Sequence, residues 1–239
     1  MTYLQVFTLG TIIKSSFGIY FHHFLTILLI YVLPRIPIQL LRLVDGSEAS
    51  ILGAVLDTVI SLLITFPMTV AISEICLGIK PSVARAYIRG FATPGRVLGT
   101  FFLAGIVIGI GFALLIIPGI VFALWYAFVG PVVILEGHGG WAALRRSRQL
   151  GRGNYLRNFG ILLSLSMIVA LIILSVVLVA ATVIALIATL PTKLAEVSGA
   201  VVGILVTPPY LISLVLLYYD MRARKEGYSA AQLAEDLKA

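Results

Sequence analysis

Charged residues are scarce in this chain of 239 residues, since Asp, Glu, Lys and Arg together make up only 11%. A water-soluble domain typically carries about 25% of these residues, because its surface must be hydrated. Apolar residues make up 60% of the chain, and the mean hydropathy is +1.10. This shortage of polar surface excludes a soluble globular domain and indicates that lipid is the solvent for most of the chain.

Cysteine and catalytic motifs are also lacking. Cys76 is the only cysteine, so the chain has no internal disulfide and no cysteine-rich metal site. The sequence contains no Walker A loop, no HExxH pair and no GxSxG nucleophile motif. We therefore predict a protein that is not an enzyme and that has no cofactor and no metal.

Long apolar runs, by contrast, are abundant. About 20 apolar residues suffice to cross the hydrocarbon core as a helix, and these runs lack the alternation of barrel strands. We predict an all-α polytopic membrane bundle, a single integral membrane domain over residues 1–239, with a turn at Pro118-Gly119 between the third and fourth spans. The six spans lie near residues 21–43, 51–77, 98–117, 120–136, 159–189 and 199–219.

The positions of the basic residues predict the orientation. If the N-terminus is inside, all but three of the 17 Lys and Arg residues fall on the cytoplasmic side. The exceptions are Arg35, Arg42 and Lys193. Because short loops rich in Lys and Arg stay in the cytoplasm, both termini are expected inside a prokaryotic inner membrane. The net charge of +7 then favours contact with anionic lipid headgroups rather than with nucleic acid.

Three segments, each placed before a pair of spans, have the pattern of amphipathic helices at the cytoplasmic surface. They cover Leu9–Tyr20, Ser82–Arg96 and Trp141–Tyr155. Apolar residues recur at helical spacing beside a basic face, so one side sinks into the headgroup region while the other meets anionic lipid. True repetition and convergent membrane design both account for this pattern. Repetition would give three hairpin units, at residues 8–78, 80–136 and 138–219.

A cytoplasmic tail at residues 220–239 follows the last span. Tyr218 and Tyr219 precede it, and this pair is typical of the aromatic belt at a membrane surface. Ser229 and Gln232 fit a capping box, so the tail is expected to contain one short helix.

Arg35 and Asp57 form a candidate polar pair inside the membrane. Arg35 lies about eight residues before the end of the first span, and Asp57 lies about six after the start of the second. The two residues should therefore lie at similar depth in the outer half. Three alternatives follow from this placement. The two residues form a pair or share a water-filled cavity, they form a bridge that only locks the hairpin, or one or both extend to water at the membrane surface.

A candidate charge cluster lies at the cytoplasmic surface. Glu74 is within reach of Lys80 or of the next amphipathic helix, which favours anchoring over proton coupling, and Glu136 ends the fourth span near two arginines. The cluster comprises Glu74, Arg85, Arg89, Glu136, Arg145 and Arg146. Six further basic residues are predicted to face lipid headgroups: Arg148, Arg152, Arg157, Arg222, Arg224 and Lys225.

Several short motifs resemble those of one family of bacterial and archaeal membrane proteins. They are Leu-Gly-Ile-Lys-Pro-Ser at 77–82, Pro-Gly-Ile at 118–120, Ala-Leu-Arg-Arg-Ser at 143–147 and Leu-Tyr-Tyr-Asp-Met-Arg at 217–222. Together they resemble the glycerophosphoryl diester phosphodiesterase membrane-domain-like family. The resemblance implies a multispan membrane region of a kind that, in some proteins, is joined to a soluble phosphodiesterase. The hydrophilic segments here are too short to form that catalytic domain, so hydrolase activity is not expected.

Two functions remain open at this point. The basic amphipathic segments favour a protein that organises the bilayer or assists lipid or envelope processes, with anionic lipid as its partner. The Arg35/Asp57 pair and the proline-broken spans favour instead a small transporter or channel subunit. With either function, ridges of small residues allow close helix packing and therefore a homo-oligomer or a membrane-protein partner.

Overall fold

A computed structural model describes residues 8–37, 51–187 and 203–236, which form helices joined by turns, without a strand. The predicted all-α class is therefore confirmed for these residues. A single 3₁₀ turn, Leu33–Arg35, follows the second helix. In chain order the α-helices are α1 (Leu9–His22), α2 (Phe24–Val32), α3 (Ile51–Cys76), α4 (Val83–Gly90), α5 (Pro94–Leu114), α6 (Ile116–Trp125), α7 (Val129–Leu135), α8 (Gly140–Gly151), α9 (Tyr155–Ile187), α10 (Pro208–Glu226) and α11 (Ala230–Asp236).

Five helical stretches are long and apolar enough to cross a membrane. They are Thr58–Cys76, Pro94–Leu114, Ile116–Leu135, Tyr155–Val183 and Gly203–Glu226. A sixth is added if α1 and α2, which are bent by 88° at His23, together form one broken span. The described residues thus contain five to six candidate spans, and the predicted number of six is the upper value. Residues 38–50, in which the first predicted span ends, lie outside the described residues.

Helices form at all three segments that carry the amphipathic pattern, namely as α1, α4 and α8. The second is shorter than predicted, because it ends at Gly90 and Pro94 already begins α5. Proline is favoured in the first turn of a helix, where its missing N–H would be unpaired in any case. The third ends at Gly151, just before Gly153 takes a left-handed φ of +84°.

The turn between the third and fourth spans lies at Leu115, not at Pro118-Gly119 as predicted. Leu115 is extended, and Pro118 sits in the first turn of α6, where proline fits without breaking the helix. Gly119 instead packs against Gly111 of the preceding helix, since a Cβ built on Gly111 would be 3.0 Å from the Gly119 Cα. The glycine therefore serves close helix packing rather than a turn.

Helix α10 lies at the centre of the structure. Residues 215–221 are all buried, including Tyr218 and Tyr219, which were expected at the membrane surface. Their hydroxyls have protein partners instead of water, since Tyr219 lies 2.5 Å from Ser73 and Tyr218 donates to a carboxylate described below. Ser213 is likewise hydrogen-bonded to Ser16 of α1, at 2.6 Å. Buried polar groups that are paired in this way fix the register of α10 against its neighbours.

The short tail helix α11 forms as the capping box predicts. The Ser229 N–H donates to Oε1 of Gln232 at 2.8 Å, and Leu233 on the same helix is fully buried. This part of the tail is thus packed against the protein.

Candidate functional site: a basic face with two clefts

Glu136 is the centre of an ion-pair network that joins α7, α8 and α10. Its carboxylate, 7% exposed, accepts a hydrogen bond from Nε of Arg146 at 2.6 Å and one from the Tyr218 hydroxyl at 2.9 Å. Arg146 also pairs with Glu226, which in turn accepts from Nε of Arg222 at 3.2 Å. Of the two arginines that the sequence places near Glu136, Arg145 and Arg146, it is Arg146 that makes this contact.

The environment of Arg146 stabilises its charged form. Burial lowers the pKa of this guanidinium, but hydrogen bonds to Glu226 and Glu136 raise it by more, so its pKa lies above the usual value. Arg146 thus stays protonated and holds two carboxylates from different helices. It is a structural cation of this face rather than a free binding group.

Glu74 anchors α4 to the end of α3. The buried carboxylate, 2% exposed, accepts from Nε of Arg85 at 2.9 Å and from its Nη2 at 3.3 Å. The hydrogen bond to Glu74 raises the pKa of Arg85. Such a two-pronged pair fixes orientation as well as distance. Of the two arginines predicted as partners, Arg85 makes this contact, and Arg89 points elsewhere, as described below.

Asp220 holds a second buried ion pair. Its carboxylate is fully buried and lies 2.6 Å from Nη1 of Arg157 and 3.0 Å from Nε of Arg224. An unpaired carboxylate in this position would be costly, which explains why two cations converge on it. Both arginines were expected to face lipid headgroups, and the structure directs them to this carboxylate of the protein instead.

Lys225 and Arg222 are likewise occupied within the protein. The Lys225 ammonium donates to the carbonyl oxygens of Gln149 and Arg152 at 2.7 and 2.6 Å, at the C-terminal end of α8. A cation in this position satisfies carbonyls that have no partner inside the helix. Arg222 lies over the ring of Tyr228 at 3.6 Å, besides its contact with Glu226. Neither residue therefore matches the lipid-facing role predicted for it.

The remaining arginines of α8 line a cleft of about 450 Å³, which we call the Trp125 cleft. Arg148 stacks on the Trp125 ring at 3.7 Å, and its carbonyl accepts from the Tyr155 hydroxyl at 2.8 Å. Arg145, Gln149 and Arg152 complete the lining, and neither arginine side chain has a hydrogen-bond partner in the part of the chain that the structure describes. Positive charge and aromatic rings thus meet in one cleft.

An apolar groove of about 300 Å³ adjoins this cleft. Trp125 and Tyr155 line both cavities, so the two lie next to each other at these rings. The rest of the groove is aliphatic or aromatic, from Ile120, Val121, Leu124, Leu156 and Phe159. The combined surface has a cationic end and an apolar end, which matches an amphiphile.

Ser147 determines where α8 lies. Its hydroxyl donates to the Trp125 carbonyl at 2.8 Å and accepts from the Phe128 N–H at 3.2 Å. These two backbone groups flank the break between α6 and α7, where the predicted fourth span is interrupted at residues 126–128. One serine therefore bridges the broken span and places the arginines of α8 beside Trp125.

A larger cleft, of about 760 Å³, lies between the α4–α5 turn and the α7–α8 turn. We call it the Arg96 cleft, and its charged or titratable lining consists of Arg89, Arg96, Glu136, His138, Arg222 and Glu235. Arg96 was not singled out from the sequence as a site residue. The glycine-rich run at residues 137–140 is the sequence feature that could have pointed to Arg96, since two of its glycines pack against the Arg96 side chain.

Arg35 occupies the membrane-embedded candidate site. Its Nη2 donates to the Ser61 hydroxyl at 2.8 Å, its Nη1 donates to the Tyr31 carbonyl at 3.1 Å, and its guanidinium stacks on the Tyr31 ring at 4.0 Å. Asp57 belongs to α3, but its side chain lies outside what the structure describes. The pairing of Arg35 with Asp57 therefore stays a prediction.

Comparisons of the chain with protein-family models, curated proteins and solved structures found no match. Among the described residues, no group of three or more His, Cys, Asp and Glu side chains is placed to hold a metal ion. The function therefore has to be inferred from the clefts themselves.

Proposed function

We propose that this chain is a non-enzymatic protein of a prokaryotic cytoplasmic membrane, which binds anionic phospholipid at its cytoplasmic face and thereby organises the surrounding bilayer. The proposal is carried by the position of the Trp125 cleft beside the apolar groove, with Trp125 and Tyr155 lining both. A single lipid would place its phosphate among Arg145, Arg148 and Arg152 and an acyl chain along the groove. The sequence resemblance to a family whose membrane region is, in some proteins, joined to a phosphodiesterase agrees with a lipid-related role.

The proposed orientation places both termini in the cytoplasm, with α1, α4 and α8 at the membrane surface. Its support is the excess of Lys and Arg on that side. In this orientation the arginines of α8 meet the anionic leaflet, whose attraction is about 1 kcal/mol per basic residue near the surface. Arginine suits this role because its planar fork binds two phosphate oxygens at once.

Fluorescence quenching tests this function directly, because Trp125 and Trp141 are the two tryptophans of the chain. In a Trp141→Phe background, Trp125 reports on its own cleft. The full chain would be placed in nanodiscs that contain phosphatidylglycerol or phosphatidylcholine with brominated acyl chains. We expect stronger quenching by the anionic lipid, because its phosphate holds the brominated chain in the groove.

Substitution then identifies the arginines responsible. Arg145→Gln with Arg152→Gln should weaken the preference for phosphatidylglycerol roughly thirtyfold, since two cations at about 1 kcal/mol each contribute about 2 kcal/mol. Lys14→Gln, which removes an exposed cation of α1, is the matched control and should keep the preference. Equal quenching by the two lipids in the starting protein would remove the basis of the proposal.

A small transporter or channel subunit is the second candidate. Its support is the Arg35 guanidinium hydrogen-bonded to Ser61 within a candidate span, because a charge at that depth usually marks a polar pathway. Cys76 is the sole cysteine and is buried, so a Ser61→Cys variant in a Cys76→Ala background carries one informative thiol. Labelling of that thiol by a membrane-impermeant maleimide would support a water-filled path. A thiol that stays unlabelled would count against this function.

A further inference from the structure

We propose that the Arg96 cleft is a second binding site, separate from the lipid site at Trp125, and that it takes a ligand bearing a phosphate monoester. The cleft lies at the turns between helices rather than along the apolar groove. Its volume of about 760 Å³ exceeds what a phosphate ion alone requires. Ligand sites for small organic molecules typically measure about 300–1,000 Å³. The ligand is thus an organic phosphate, either free in solution or the headgroup of a lipid.

Arg89 and Arg96 provide the charge that a phosphate would meet. Both side chains are exposed to the cleft, and neither guanidinium has a hydrogen bond or ion pair with any residue that the structure describes. Each guanidinium presents a planar set of donors that fits two phosphate oxygens. Two such groups match the two negative charges of a phosphate monoester.

With the other charged groups of the cleft included, the net charge of its lining stays positive. Glu136 is already occupied by Arg146 and Tyr218, and Arg222 by Glu226 and the Tyr228 ring. The exposed Glu235 and His138, whose Nδ1 lies 3.8 Å from the Glu136 carboxylate, complete the titratable lining. The two arginines therefore outweigh the one carboxylate that has no described partner.

Glycines hold the Arg96 side chain in place. A Cβ at Gly139 would approach the Arg96 Cγ to 2.6 Å, so only glycine lets the backbone pack this closely on the arginine stem. Gly137, with a left-handed φ of +67°, turns the chain over the guanidinium end, since a Cβ there would lie 3.7 Å from Nη1. Gly140, which follows Gly139, is also fixed, because its N–H donates to the Thr100 hydroxyl at 2.7 Å. The loop is thus built around Arg96.

Two binding measurements on the full chain test this site and separate the two sources of phosphate. The free arm titrates glycerol 3-phosphate into protein in phosphatidylcholine nanodiscs by isothermal calorimetry. The lipid arm measures thermal stabilisation when phosphatidic acid replaces part of the phosphatidylcholine. We expect Arg89→Gln with Arg96→Gln to weaken binding at least tenfold, since both charged hydrogen-bond donors of the site are lost. Lys80→Gln, an exposed cation outside the cleft, should change it less than about twofold.

Gly139→Ala tests the position of the Arg96 side chain without changing the charge of the cleft. It keeps both arginines but displaces the Arg96 stem, and its extended φ of −129° accepts an alanine. We expect binding to weaken while the melting temperature without ligand stays close to that of the unmodified protein. A response in the free arm identifies a soluble phosphate, and one in the lipid arm alone identifies a headgroup.

The proposal would be overturned by the absence of a response in both arms, or by a response that Arg89→Gln with Arg96→Gln leaves unchanged. Either result is independent of the Trp125 cleft, because Arg145 and Arg152 are intact in these variants. If neither measurement detects binding at the Arg96 cleft while anionic lipid still quenches Trp125 more strongly, the proposed function stands and only this second site is refuted.

Discussion

Nε of Arg146 lies 2.6 Å from the carboxylate of Glu136, and the same guanidinium also binds Glu226 at the end of α10. Three helices that are separated along the chain are thus tied together by one side chain. The contact stabilises the face on which both clefts open, since α8 forms one wall of the Trp125 cleft and Glu136 lines the Arg96 cleft.

Arg146→Gln should therefore destabilise the protein. It leaves the mostly buried Glu136 with weaker partners, and the loss of one member of such a pair costs about 2 kcal/mol or more. The midpoint of thermal unfolding in detergent, followed by circular dichroism, measures the effect. Arg145→Gln is the control on the same helix, with an expected change below about 0.5 kcal/mol, because this exposed side chain has no partner among the described residues. Equal losses in both variants would contradict a specific role for Arg146.

Ser147→Ala is expected to loosen α8 from the broken span. The hydroxyl accepts from the buried Phe128 N–H and donates to the partly buried Trp125 carbonyl, and a buried backbone group left unpaired costs about 1–3 kcal/mol. Hydrogen exchange at residues 125–129 should become faster along with the loss of stability. Ser175→Ala removes an exposed serine that bonds only its own helix, and it should leave both measurements unchanged.

Gly90→Ala should prevent α4 from packing on α3. An added Cβ would lie 2.9 Å from the Pro67 nitrogen and 3.1 Å from the Phe66 carbonyl carbon, and these backbone atoms have no room to move. Overpacking of this kind costs about 1–3 kcal/mol. Gly99→Ala is the matched helical control, because nothing lies within 4 Å of its added Cβ. That variant should be neutral or slightly stabilising, and a loss as large as that of Gly90→Ala would refute the packing explanation.

Cysteine labelling tests the orientation. In a Cys76→Ala background, thiols at His138 and Ala231 should react with an impermeant maleimide only after the cells are permeabilised, because both positions are predicted inside. A thiol at Thr192, between the last two predicted spans, should react in intact cells. Labelling of His138→Cys in intact cells would reverse the orientation and place the basic clefts outside.

Hydropathy alone was sufficient to predict most of the helices. The run at 51–77 corresponds to α3, Ile51–Cys76, because about 20 apolar residues in a helix satisfy both the backbone and the lipid. The turn at Leu115 was not predictable in this way. A proline followed by glycine is compatible with a turn and equally with the first turn of a helix, and only the packing of Gly119 on Gly111 decides between them.

Contacts of the site could be predicted where the two partners are close together in the sequence, and could not where they are far apart. Glu74 with Arg85 and Glu136 with Arg146 are close in the chain, so helical geometry already places them within reach. Asp220 finds Arg157 only through the packing of α9 on α10, which no local pattern encodes. The burial of Tyr218 also reversed its expected role, since the same aromatic pair suits a membrane surface and a hydrogen-bonded core.

The contact of Lys225 with the end of α8 also has a consequence for biosynthesis. This ammonium, and the neighbouring Glu226 that binds Arg146, belong to α10, which is synthesised after α8 and α9. Helix α8 therefore receives two of its anchors only after α10 has been synthesised. Until then the arginines of the Trp125 cleft lack their final positions, so the nascent chain can insert its earlier spans before the cleft exists.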